Sequence, residues 1–190
     1  MKKIIFVSHC ILNTASKVVM YNQDEMEAEE KLRKNFLQQA LANDIQLLQL
    51  PCPEYTLYGA NRWGHVSNQF DNVFFRKHCR EILTPIIEQL KEYLAHKDRF
   101  EILGFVGIDG SPSCGVDYTC CADWYGSFES RENLFETLED CHLVKKPGVL
   151  IEVLKEMLKA EGIVDKVTVT SLFAPEPDKC MKLIDKCKQK

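Results

Sequence analysis

The chain has 190 residues, 45% of them apolar and 27% charged, with a net charge of −4. That balance belongs to one folded domain with its own core. It excludes disorder, a collagen-like repeat and a general basic surface for a nucleic-acid backbone. No apolar run approaches the about 18 residues that cross a bilayer, and the apolar stretch after Lys3 stops at Val7, short of the about 7–15 residues of a secretory core. The expectation is a cytoplasmic protein forming one domain over 1–190, with no membrane partner and no strong nucleic-acid binding.

Residues 3–8 (KIIFVS) read as a buried strand. Residues 24–43 open acidic and carry Leu32, Phe36, Leu37, Ala40 and Leu41 at helical spacing. Residues 45–50 (IQLLQL) form a second strand. Residues 72–96 place Cys79, Ile82, Leu83, Ile86, Ile87, Leu90, Tyr93 and Leu94 on one stripe, and Pro85 inside it predicts a kink or a break after Thr84. A third strand follows over 101–108. Residues 130–141 read as a short helix with Leu134, Phe135 and Leu138 inward. Pro147 and Gly148 open a further helix with Leu150, Val153, Leu154, Met157 and Leu158 inside and Gly162 as its stop. Residues 166–173 give a fourth strand, and Pro177 opens the last helix. Alternation of this kind predicts an α/β fold, a three-layer α/β/α sandwich around a mostly parallel sheet.

Nine cysteines are many for such a chain. The number is odd and no export signal is visible, which argues against a disulfide framework and for reduced thiols. Cys10, Cys52 and Cys114 each stand just past the carboxyl end of a predicted strand. A parallel sheet would bring them together where such sheets bind ligands. Three converging thiols make a soft-ligand site for an iron–sulfur cluster or for zinc. Pro51 and Pro53 bracket Cys52 and predict an extended loop without nearby backbone donors, while Gly110, Ser111, Pro112, Ser113 and Gly115 surround Cys114 with small residues. Cys79, Cys141, Cys180 and Cys187 read as core residues. Cys120 or Cys121 offers a fourth ligand.

The blocks Ser8-His9-Cys10-Ile11-Leu12-Asn13, Cys52-Pro53-Glu54 and Ser111-Pro112-Ser113-Cys114-Gly115 resemble, in order and spacing, the thiouracil desulfidase family of small iron–sulfur enzymes. The resemblance implies a [4Fe–4S] cluster held by Cys10, Cys52 and Cys114, with one iron free of protein ligands. It also implies Glu54 and Ser111 as catalytic residues near a small thiolated substrate. The chain departs from the family pattern at His9, at Asp109-Gly110 and over residues 58–65 (YGANRWGH). Ser113, Arg62, Trp63 and His9 are the candidates to contact substrate. The implied reaction turns C=S into C=O and releases sulfide, with Glu54 as base toward water. Two alternatives stay open: a sulfur transferase, and a non-catalytic thiolate protein binding zinc or a cluster.

Overall fold

The computed structural model describes residues 1–188, with side chains through Asp185. From the N-terminus the chain runs β1 (Lys2–Val7), α1 (His9–Leu12), a 3-10 turn (Thr14–Ser16), α2 (Gln23–Ala42), β2 (Ile45–Gln49), α3 (Pro53–Tyr58), α4 (Ser67–Phe70), α5 (Val73–Ala95) and β3 (Phe100–Ile108). It continues with β4 (Thr119–Cys121), α6 (Leu134–Glu139), β5 (His142–Val144), α7 (Val149–Ala160), a 3-10 turn (Val164–Lys166), β6 (Val169–Leu172) and α8 (Asp178–Lys188).

Four strands form one parallel sheet in the order β2-β1-β3-β6. Neighbouring side chains on a strand point to opposite faces, and β1 shows what that does here. Ile4 and Phe6 pack with Phe105 of β3 against Phe75, Cys79, Leu83 and Leu90 of α5 and Leu150, Val153, Leu154 and Leu158 of α7. Ile5 and Val7 pack with Val106 and Ile108 against Leu32, Phe36 and Ala40 of α2 and Cys180, Leu183 and Ile184 of α8. The continuous apolar run of β1 is thus a strand covered on both sides, and the molecule is the single three-layer α/β domain that the alternation predicts. No helix among the described residues is long and apolar enough to cross a membrane.

Several expectations need correction. α5 is one helix with Pro85 inside it, not two. Pro85 lies on the exposed side of the helix, so the carbonyl that loses its donor can be served by water. Leu41 is 69% exposed, because α2 ends one residue later and the sheet is already covered by Leu32, Phe36 and Ala40. Residues 130–141 give only the six-residue α6, with Phe135 exposed. Cys141 is exposed and not a core residue, whereas Cys79 and Cys180 are fully buried. The side chain of Cys187 lies outside the described ones. The strand at 166–173 shortens to β6 because a 3-10 turn takes its first residue. The antiparallel pair β4–β5, absent from the sequence reading, forms a separate small sheet.

Candidate functional site

Cys10, Cys52 and Cys114 leave three adjacent strands. Cys10 sits in α1 directly after β1, Cys52 precedes α3 after β2, and Cys114 lies in the loop after β3. The chain goes from β1 to β2 on one side and then to β3 on the other. That reversal of strand order is where open α/β sheets leave a crevice beyond their carboxyl ends. A hollow of about 600 Å³ lined by Met1, Lys2, Asp44, Asp98 and Arg99 belongs to the other end of the sheet, at the starts of β1 and β3. It contains no thiol, so the chemistry points to the cysteine end.

Each cysteine is fixed by local structure. Pro53 is the first residue of α3, where its missing N–H costs nothing. Cys52 caps that helix and its Sγ accepts the Tyr55 N–H at 3.4 Å. The expected extended loop without backbone donors is therefore a helix start that supplies one. Cys114 sits in a loop bent around Ser111, whose Oγ accepts the Cys114 N–H at 3.0 Å and lies 3.4 Å from the Ser113 nitrogen. The loop folds back onto β3: a Cβ on Gly107 would stand 2.3 Å from the Cys114 carbonyl oxygen. It also caps α7, since the Gly148 N–H donates to Gly115 and the Val149 and Leu150 N–H groups donate to Pro112 and Ser113. A Cβ on Gly148 would lie 2.6 Å from the Ser113 carbonyl carbon, so only glycine lets helix and loop approach this closely.

Asp109 holds the far end of this loop. One carboxylate oxygen accepts from the Val116, Asp117 and Tyr118 N–H groups at 2.7, 2.9 and 3.3 Å. The other accepts from Ser171 Oγ at 2.6 Å and from Lys179 at 3.4 Å. Sequence reasoning met Asp109 only as a departure from a family pattern. Its place directly after a buried strand and ahead of a Gly-rich turn was the available signal.

A polar network ties the cysteine loops together. Glu54, 8% exposed, accepts from Ser113 Oγ at 2.6 Å through one oxygen and from Arg62 Nε at 3.3 Å through the other. Ser113 Oγ also lies 3.5 Å from Cys114 Sγ. Arg62 donates to the Gly59 carbonyl at 3.2 Å and to the Ser16 carbonyl at 2.6 Å. Ser16 Oγ stands 2.6 Å from His9 Nδ1 and 3.8 Å from Cys10 Sγ. The path Cys10, Ser16, Arg62, Glu54, Ser113, Cys114 thus joins the segments after β1, β2 and β3 through side chains and one carbonyl. Of the sequence candidates, Glu54, Ser113, Arg62 and His9 meet here. Ser111 serves the turn around Cys114 rather than the carboxylate. Trp63 is 78% exposed and meets Phe128 edge-on at 6.3 Å. Ser16, which sequence reasoning missed, links three members of the set.

The thiols sense each other. Burial pushes Cys10 up to about 11, and the charges of Cys52 and Glu54 push the same way against the Ser16 hydrogen bond and Lys17. Cys52 is raised chiefly by burial, with Tyr55 N–H and Arg62 opposing and Glu54 adding. Cys114 is raised by burial, with Ser113 and Ser8 opposing and Cys52 and Glu54 adding. A thiolate at Cys52 would oppose one at Cys10 and one at Cys114. A cationic centre that displaces their protons is the chemistry that relieves this. Ser8 Oγ is buried at the same place without a hydrogen-bond partner, although it is near enough to Cys114 to favour its thiolate. Among the described residues, no three His, Cys, Asp or Glu side chains gather closely enough for one metal ion. In type, three thiols past the ends of adjacent strands are the soft donors that an iron–sulfur cluster takes. Cys121 lies 2.9 Å from Ser67 Oγ and Cys120 faces the His65 carbonyl at 3.5 Å.

A family model described as "Putative 2-thiouracil desulfurase" matches residues 1–171. The chain is 34% identical over 161 residues to a protein of Methanocaldococcus jannaschii named "Uncharacterized protein MJ0003", covering 83% of this chain and 98% of the relative. No solved structure matches the chain significantly.

Proposed function

The chain belongs to the family described as "Putative 2-thiouracil desulfurase", and from that premise we propose that it hydrolyses the C=S bond of a small thiolated compound such as a thiouracil-like base. The products are free sulfide and the carbonyl compound. The observation that carries this reading is a buried carboxylate, Glu54, held by Ser113 and Arg62 and close enough to all three strand-end thiols that its charge favours their protonated forms.

We assign Cys10, Cys52 and Cys114 as the residues that would hold a [4Fe–4S] cluster. When bound, such a cluster supplies a Lewis-acidic iron suited to a soft thiocarbonyl sulfur. The chain's own part is water activation. A carboxylate accepts about four hydrogen bonds, so Glu54 keeps acceptor sites open after Ser113 and Arg62 are served. A water held there attacks the thiocarbonyl carbon as Glu54 takes its proton. The C–S bond then breaks, sulfur departs with the electron pair, the added hydroxyl loses its remaining proton to solvent as C=O forms, and Glu54 returns the first proton to the leaving sulfur or the ring nitrogen. Ser113 and Arg62 fix the carboxylate's orientation, and His9 steadies the Cys10 turn through Ser16.

Anaerobically reconstituted protein should be brown and bind about four irons and four sulfides per chain. A colourless chain would remove the cluster from this reading. Glu54→Gln should keep the iron and lose sulfide release from 2-thiouracil by about 100-fold or more. Unchanged turnover in that variant would remove the base assignment. A thiolated acceptor in place of free sulfide would make the enzyme a sulfur transferase.

A further inference from the structure

The small sheet β4–β5 carries cysteine chemistry that the proposed reaction does not use. In its ladder Cys120 stands opposite Leu143 and Cys121 opposite His142. Cys141 is one residue before β5, so it falls on the face of Leu143 and Cys120, diagonal to Cys120. Cys121 points to the opposite face, toward Ser67. We propose that Cys120 and Cys141 are a redox pair that closes a disulfide across the open end of this sheet, with a low-molecular-weight disulfide as oxidant.

A diagonal pair in a regular ladder lies about 7–8 Å apart at Cα, slightly beyond the about 4.4–6.8 Å of a disulfide. Cys141 is outside the strand and bound by none of its three residue pairs, so it can close that difference. Cys120 favours the Cys141 thiolate against the effect of burial, which raises that thiol above its ordinary value. Cys141 is exposed while Cys120 is half-buried, which sets the order of events. The Cys141 thiolate attacks one sulfur of the small disulfide and releases one small thiol. The Cys120 thiolate attacks the mixed disulfide and releases the second. Two protein thiols are oxidised, one disulfide is reduced, and the two protons leave with the two small thiols.

The bond would tie together the ends of the segment 122–140. That segment carries Phe128, edge-on to Trp63, and Trp124, whose indole N–H donates to the Thr137 carbonyl at 2.7 Å. The chain has two tryptophans, and both touch this segment. Their emission therefore reports on it directly. The pair is independent of the desulfurase reading, because its chemistry needs neither cluster nor substrate.

The test titrates the anaerobically purified protein with glutathione disulfide, then alkylates free thiols and maps the peptides. Expected is one linked species joining the Cys120 and Cys141 peptides with loss of two hydrogens, and a tryptophan emission shift that follows its formation. Cys141→Ser should abolish link and shift, and Cys121→Ser should keep both. The proposal is overturned if Cys120 and Cys141 stay free, if oxidation stops at a glutathione adduct on Cys141, or if the link forms through Cys121. The link forming with no emission shift would overturn the tie on the 122–140 segment.

Discussion

Arg62 is a guanidinium with its side chain 3% exposed and three acceptors: Glu54, the Gly59 carbonyl and the Ser16 carbonyl. Removing one partner of a buried ion pair leaves the other uncompensated, at a cost of about 3–5 kcal/mol. Arg62→Met should therefore lower the denaturation midpoint of the protein more than any exposed Arg→Met change such as Arg80→Met. Arg80 has a single ionic partner at half exposure, where such pairs contribute about 0–1 kcal/mol. Equal midpoints for the two variants would show that Arg62 carries no structural weight. Ser113 acts more locally. Its hydroxyl is 2.6 Å from the Glu54 carboxylate, and hydrogen bonds to charged groups contribute about 1.5–3 kcal/mol. If the bond matters equally while Glu54 works, Ser113→Ala should slow sulfide release by about 10- to 100-fold. Iron content, measured alongside, should stay within error of the parent. A parallel loss of iron would mean that Ser113 serves Cys114 instead.

At the scale of elements, the loop between β3 and β4 behaves as one unit built on Asp109. Asp109→Asn keeps one oxygen for the Val116, Asp117 and Tyr118 N–H groups but turns the Ser171 and Lys179 acceptor into a donor. The loop should loosen by about 1.5–3 kcal/mol, and reconstituted iron per chain should fall although all three thiols remain. Full iron occupancy in Asp109→Asn would contradict this. The strand-end places of the three thiols were legible in the sequence because strand ends of a parallel sheet meet at one rim, and apolar runs locate strand ends well; Glu54 stood out only through the resemblance of its Cys52-Pro53-Glu54 block. Asp109 and Ser16 were not, because a lone polar residue in a turn carries no period and acquires its partners only in three dimensions. The same reason hid β4–β5. Three-residue strands are too short for alternation, and the pairing of Thr119–Cys121 with His142–Val144 is set by tertiary contact. The helical spacing at 130–141 was genuine but local, and with no sheet beneath it Phe135 stayed in water. Pro85 failed to divide α5 because the stripe on either side of it, Leu83 to Ile87, buries against one continuous surface.

At the scale of the whole molecule, burial on both faces of the sheet holds thiols in their protonated form. Cys79, buried against the sheet by α5, is pushed up to about 12, and Cys180, buried by α8, to about 11, in both cases chiefly by loss of solvent. In the unfolded chain a thiol ionises near about 8.5. Between those values the folded state holds protons that the unfolded state has released, so stability falls as pH rises. The contribution is whole below about pH 8.5 and disappears as pH climbs through the folded values. For a group such as Cys79 the loss between pH 9 and 10.5 is about 2 kcal/mol, against a total stability of about 5–15 kcal/mol. The reduced, metal-free chain should therefore lose urea resistance steadily between pH 8.5 and 10.5, and Cys79→Ala should show a shallower decline despite a lower starting point. A cluster bound by Cys10, Cys52 and Cys114 would hold those three as thiolates at every pH in the range, removing their raised ionisation from the balance. The reconstituted protein should then decline less steeply than the metal-free chain. Identical slopes for the two forms would mean that those thiols are not the ones that give up their protons on cluster binding.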